Sequence, residues 1–109
     1  MPDSAVFDLA ALCAGRAGSG RPYFEFLRLP AMSAGLYELA AGAADTQQPH
    51  REAEIYYVIA GRADFRAGSG ITAVKSGSVI FVEAGIEHRF EQIAEDLRLL
   101  VFFAPAETT

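Results

Sequence analysis

Two histidines, one glutamate and two glutamines carry the chemistry this chain can offer. Gln48, His50 and Glu54 are separated by even intervals, as are His88 and Gln92. Successive side chains of an extended strand alternate between its faces, so residues of equal parity share one. Gln48, His50 and Glu54 therefore project to one side of a strand that continues through Tyr56 and Val58. His88 and Gln92 do the same around Phe90. Two neutral imidazoles and a carboxylate are a donor set for a divalent transition metal, and an amide oxygen can complete it. Such a set leaves positions for water or substrate. Cys13 has no second cysteine to pair with, which removes an internal disulfide and a thiolate zinc site from consideration and leaves the thiol inert.

Positioning those groups requires strands. After Pro22 the chain reads as short apolar runs broken by glycine, proline and polar turns at intervals of about 8–12 residues. The runs are Tyr23–Leu29, Gly35–Leu39, Glu54–Ile59, Ala63–Arg66, Ile71–Lys75, Ser78–Val82, Glu87–Ile93 and Leu97–Phe103. Gly61 punctuates the third run, which makes Ala63–Arg66 its hairpin partner. Residues 1–21 form an Ala/Gly-rich lead-in with a short helix over Val6–Ala14, residues 22–105 the domain, and residues 106–109 a polar tail. Many short strands with turn chemistry and no long helix predict an antiparallel sandwich or barrel.

The spacings resemble those of the cupins, small double-sheet jelly rolls marked by two motifs. The first motif runs Gly, five residues, His, one residue, His, three or four residues, Glu, six residues, Gly. Gly42, Gln48, His50, Glu54 and Gly61 reproduce it with glutamine for the first histidine. The second runs Gly, five residues, Pro, one residue, Gly, two residues, His, three residues, Asn. Gly77, Glu83, Gly85, His88 and Gln92 keep its spacing, with Glu for Pro and Gln for Asn. The 15 residues between Gly61 and Gly77 match a short bacterial spacer. The resemblance implies an all-β jelly-roll barrel, the double-stranded β-helix. It also implies a divalent metal (Fe, Mn, Ni or Zn) on Gln48, His50, Glu54 and His88, in a pocket lined by Tyr37, Tyr56, Val58, Phe90 and Gln92. Without Gln48, the remaining three are the two-His-one-carboxylate set of non-haem iron oxygenases and some catalytic zinc sites.

Composition narrows the partners. Net charge is −5 with nine Lys+Arg, which disfavours a phosphate-binding surface and hence nucleic acid. No apolar run reaches the roughly 20 residues of a membrane span. The opening MPDSAVFDLA lacks a basic leader, so a cytoplasmic location is expected. Apart from Arg98, Leu97–Phe103 is apolar on both parities, as is EIYYVI, so the second face of each must meet either the N-terminal segment or another subunit; a sheet-to-sheet homodimer is the expectation. Arg28 and Arg98 snorkel or pair with acidic neighbours, and Glu83 is a solvated turn residue. A small organic substrate with metal-dependent, dioxygenase-like chemistry is the leading functional expectation, with a pocket tyrosine as acid or base. Lyase or isomerase chemistry follows, and the alternative is a non-catalytic binding or sensing module whose pocket the metal orders.

Overall fold

The computed structural model describes residues 3–47 and 49–108. Among the described residues one helix, α1 (Leu9–Ser19), precedes six strands: β1 (Tyr23–Leu29), β2 (Met32–Leu39), β3 (Ala53–Ala67), β4 (Gly70–Lys75), β5 (Val79–Val82) and β6 (His88–Ala104). All neighbours are antiparallel, in the order β1-β2-β6-β3-β4, with β5 on β3 beside its first half. The architecture is the jelly-roll barrel expected from the strand pattern.

Two pairs of expected strands are single long ones. Ala63–Arg66 continues β3 through Gly61 instead of folding back on it, and it pairs with β4 and β6. Glu87–Ile93 and Leu97–Phe103 likewise merge into the 17-residue β6. Glycine at 61 marks a bulge rather than a turn: its φ is 99°, and a Cβ there would collide with the Asp96 carbonyl. Only glycine meets both demands.

The bulges reverse parity. Glu54, Tyr56 and Val58 point inward on β3, but beyond the irregularity Ala63 and Phe65 do. On β6, His88 and Phe90 point inward, while from Ile93 onward the odd positions Leu97, Leu99, Val101 and Phe103 do. Gln92 sits at this second switch with φ 49°. A one-residue slip of this kind moves every later side chain to the other face. The core is built from those inward positions together with Leu39, Val74, Ile80 and Val82.

The helix lies later than the expected Val6–Ala14, ending on Gly20 in the left-handed conformation with φ 69°. It covers the outer side of β1 and β2 through Leu12 and through Gly15, which abuts the Phe24 ring. Phe7 stacks edge-on against Phe26 at 4.8 Å between centroids. Among the described residues, no helix is long and apolar enough to cross a membrane.

Candidate metal centre

β3 carries Glu54 inward as its second residue, and β6 carries His88 inward as its first. His50 lies on the approach to β3, where its carbonyl accepts the Gly85 N–H at 2.7 Å and ties the two motif loops together. One donor atom from each of His50, Glu54 and His88 lies within 4.8 Å of the others, so the three could hold one metal ion. His88 Nε2 is 2.8 Å from Glu54 Oε1, and His50 Nε2 is 3.9 Å from the same oxygen. The Glu54 and His88 side chains are each 1% exposed, and that of His50 is 17% exposed, which sets it toward the mouth.

The ring protons are placed by the outer nitrogens. His88 Nδ1 is 2.8 Å from the Ile86 carbonyl, and a carbonyl only accepts, so Nδ1 carries the proton. His50 Nδ1 is 3.2 Å from a Glu107 carboxylate oxygen and its Nε2 is 3.3 Å from the neutral Gln47 amide oxygen; the charged acceptor is the stronger, so it draws the proton of the neutral ring to Nδ1. In these neutral rings Nε2 is the unprotonated nitrogen, close to Glu54 in both cases and also 3.0 Å from Tyr56 Oη in His88 and 3.3 Å from Gln47 Oε1 in His50. The close His88–Glu54 approach is out of line for a hydrogen bond, and among the described residues neither Glu54 oxygen has a hydrogen-bond donor. Burying a carboxylate unpaired is costly, and a divalent cation among these three donors removes the cost. The residues present therefore fit a metal.

Without a cation the same carboxylate draws protons. The His88 pKa is raised: burial opposes its charge, but Glu54 and the Ile86 carbonyl outweigh it. The His50 pKa is also raised, first by Glu107, against burial, and then by Glu54 and Glu52. Tyr56 is pushed well above the ordinary phenol range by burial and by Glu54.

Beside this cluster is a cavity of about 210 Å³ lined by Tyr23, Tyr37, Tyr56, Gln47, Val101, Phe103 and Glu107 as well as His50 and Glu54. Two of its three hydroxyls are committed. Tyr37 donates to Asp45 Oδ1 at 2.8 Å, and Tyr56 donates to Gln47 Oε1 at 2.9 Å while lying 3.0 Å from His88 Nε2. The buried Tyr23 hydroxyl has no partner among the described residues. Its ring lies on Gly35, where a Cβ would collide with it.

The family profile of the cupin domain matches residues 35–103, 69 of the chain's 109. The chain belongs to the cupin family. An uncharacterized protein of Streptomyces coelicolor is 48% identical over 103 residues, spanning 94% of this cupin and 98% of its own length. The crystal structure of TT1209 from Thermus thermophilus superposes with a TM-score of 0.73 at 25% identity, over 93% of this chain and 97% of that one. The DMSP lyase DddQ from Ruegeria pomeroyi superposes with a TM-score of 0.65 at 23% identity, over 70% of this cupin and 39% of the lyase. At that identity the likeness is one of fold.

Of the residues expected at the cupin's site, His50, Glu54 and His88 come together, and Tyr37 and Tyr56 line the cavity. Gln48 lies outside the described residues. Val58 and Phe90 are set deeper, as core: Val58 is fully buried, and Phe90 stacks on Tyr56 and Phe65 with centroids 5.1 Å away in each case. Gln92 is exposed, because the bulge it occupies turns it away from the pocket. Arg28 and Arg98 pair with Glu25 and Glu38.

Sequence reasoning missed Tyr23, Asp45, Gln47 and Glu107. Asp45 is buried in the loop before β3, where it accepts Tyr37 Oη–H, the Phe90 N–H at 2.9 Å and Gln47 Nε2 at 2.6 Å. That last bond orients the Gln47 amide with Oε1 toward Tyr56 and, at 3.3 Å, His50 Nε2. The one available signal was the equal parity of Tyr23 and Tyr37 on adjacent expected strands. Nothing in the loop composition distinguished Asp45 or Gln47.

Proposed function

We propose that this cupin is a metal-dependent enzyme acting on a small organic molecule. A divalent transition metal would be held by His50, Glu54 and His88, with the substrate in the adjoining cavity. The observation that carries the reading is Glu54, buried without a donor among the described residues, with the Nε2 atoms of two imidazoles 2.8 and 3.9 Å from its Oε1. When bound, the metal supplies Lewis acidity and, if it is iron, dioxygen chemistry. The chain's own groups do the rest. His88 and His50 are fixed in ring orientation by Ile86 and Glu107. Val101 and Phe103 with the tyrosine rings keep the pocket wall apolar, which favours a small molecule of mixed polarity. Tyr23 offers the uncommitted hydroxyl, a donor for a substrate oxygen and a candidate general acid.

Two imidazoles and one carboxylate favour a dioxygenase-type reaction over a lyase or isomerase. The test is protein purified without a chelating tag, analysed for metal, then loaded in turn with Fe(II), Mn(II), Ni(II) and Zn(II) and screened against small oxygen-bearing compounds. Oxygen uptake confined to the iron form supports the dioxygenase. Turnover without oxygen uptake supports lyase or isomerase chemistry, and tight binding without turnover under every metal overturns the enzyme reading in favour of a binding or sensing module.

The proposed assembly is a homodimer. Ile55, Tyr57, Val79 and Phe81 are all exposed and cross-strand paired on the outer face of β3 and β5, a contiguous apolar strip that a second copy would cover.

A further inference from the structure

We propose that Glu107, in the segment following β6, is a positioning residue of the metal centre, acting on the metal through His50. The inference rests on the reading that His50, Glu54 and His88 bind a metal. Glu107 Oε2 lies 3.2 Å from His50 Nδ1, on the side of the ring away from Glu54. Neutral imidazole carries one ring proton, and the Glu107 carboxylate at Nδ1 is a stronger acceptor for it than the Gln47 amide oxygen 3.3 Å from Nε2, so Nε2 is the nitrogen left to the centre. Phe103, edge-on to the same ring at 4.9 Å between centroids, restrains its tilt.

The segment is tethered on both sides of Glu107. Its N–H donates to Ser33 Oγ at 2.9 Å, and its carbonyl accepts from Arg28 Nη2 at 2.6 Å. Thr108 Oγ1 donates to Glu52 Oε2 at 2.8 Å. Ser33 on β2 and Glu52 just before β3 are buried polar residues, and each bonds this segment. The barrel is thus built to receive this stretch of chain, and Glu107 closes one wall of the cavity.

The test compares Glu107→Ala, Glu107→Gln and Ser33→Ala with the parent chain. Zinc affinity is read by competition with a chromophoric chelator, and the ligand field by the visible absorption of the cobalt(II) form. Loss of a group that orients a metal-binding histidine weakens binding about 10–100-fold. Glu107→Ala should show that loss together with a changed cobalt spectrum. Glu107→Gln, whose amide oxygen can still accept the Nδ1 proton, should recover most of it, and Ser33→Ala should fall between. The nitrogen-15 spectrum of the metal-free protein in mildly alkaline buffer reads the His50 tautomer directly: Nδ1–H in the parent, a mixture in Glu107→Ala. Unchanged zinc affinity, cobalt spectrum and tautomer in Glu107→Ala overturn the role. A parent chain that binds no metal but shows the expected tautomer change overturns the metal reading and leaves the Glu107–His50 contact standing.

Discussion

His88 and Glu54 touch across 2.8 Å although they belong to opposite ends of the same ladder. In the β3–β6 register His88 is opposite Ala67, and Glu54 is opposite Phe103. Thirteen residue steps along β3, from Glu54 to Ala67, span those two rungs, roughly 43 Å in a flat ribbon at about 3.3 Å per step. The ribbon curls until its ends meet, and the candidate metal centre is where they meet.

The joint carries the first prediction. His88→Ala removes one of three donors, and zinc affinity should fall by more than the roughly 100-fold seen when only an orienting neighbour is lost. Elemental analysis of tag-free protein should give near one metal per chain in the parent and a small fraction of that in the variant. Equal metal content in the two would place the metal elsewhere.

Proton and metal compete for the same nitrogens. His88 and His50 both titrate above the ordinary 6.5 in the folded, metal-free chain. Groups raised on folding bind protons more tightly folded than unfolded, so their contribution is complete below about pH 6.5 and is lost as pH rises through the folded values. A divalent ion must displace those protons. The zinc-induced rise in Tm should therefore be larger near about pH 8 than near about pH 6, read by calorimetry at fixed ionic strength.

Tyr23 and Gly35 form a pair with opposite consequences for stability. Tyr23→Phe deletes a buried hydroxyl that has no partner among the described residues, so stability should hold or rise by up to about 1 kcal/mol. Gly35→Ala drives a methyl into the Tyr23 ring and should cost about 1–3 kcal/mol in urea denaturation. If the Tyr23 hydroxyl serves the substrate, the stable Tyr23→Phe protein loses turnover or ligand affinity.

Asp45 ties its own loop to β2 and β6. Replacing it by Ala leaves Tyr37, Gln47 and the Phe90 N–H without their acceptor. Hydrogen bonds to a charged group contribute about 1.5–3 kcal/mol each, and the loss should reach at least that of one such bond. Asp45→Asn, which keeps an oxygen, should recover part of it.

Phe81 is 63% exposed at the centre of the outer apolar strip. Sedimentation should give twice the 11.7 kDa chain mass for the parent and the single-chain mass for Phe81→Glu. A parent that sediments as one chain would refute the homodimer.

Sequence parity located the centre because Glu54, Tyr56 and His88 all lie before the bulges of their own strands. It misled at Gln92 because that residue is itself the bulge, and a positive φ at a non-glycine leaves no mark in composition. The long strands were read as pairs of short ones for a related reason: Gly61 has the look of a turn, yet it is there to let β3 pass close to the Asp96 carbonyl. Asp45, Gln47 and Glu107 were illegible because they reach the site through loops and a terminal segment, whose course depends on tertiary contacts such as Ser33 with Glu107. The helix shifted because a narrow apolar stripe gives poor bounds, and its stop was set by Gly20.

The parity switches at Gly61 and Gln92 have a mechanical consequence. Each is a point where a stiff ladder can flex, and both lie between the rungs that bring Glu54 and His88 together. Anything that joins those two side chains works as a clasp on a sprung hoop. Occupancy of the centre should then slow amide hydrogen exchange around residues 59–63 and 92–96, well away from the donors themselves, and release of the occupant should restore it.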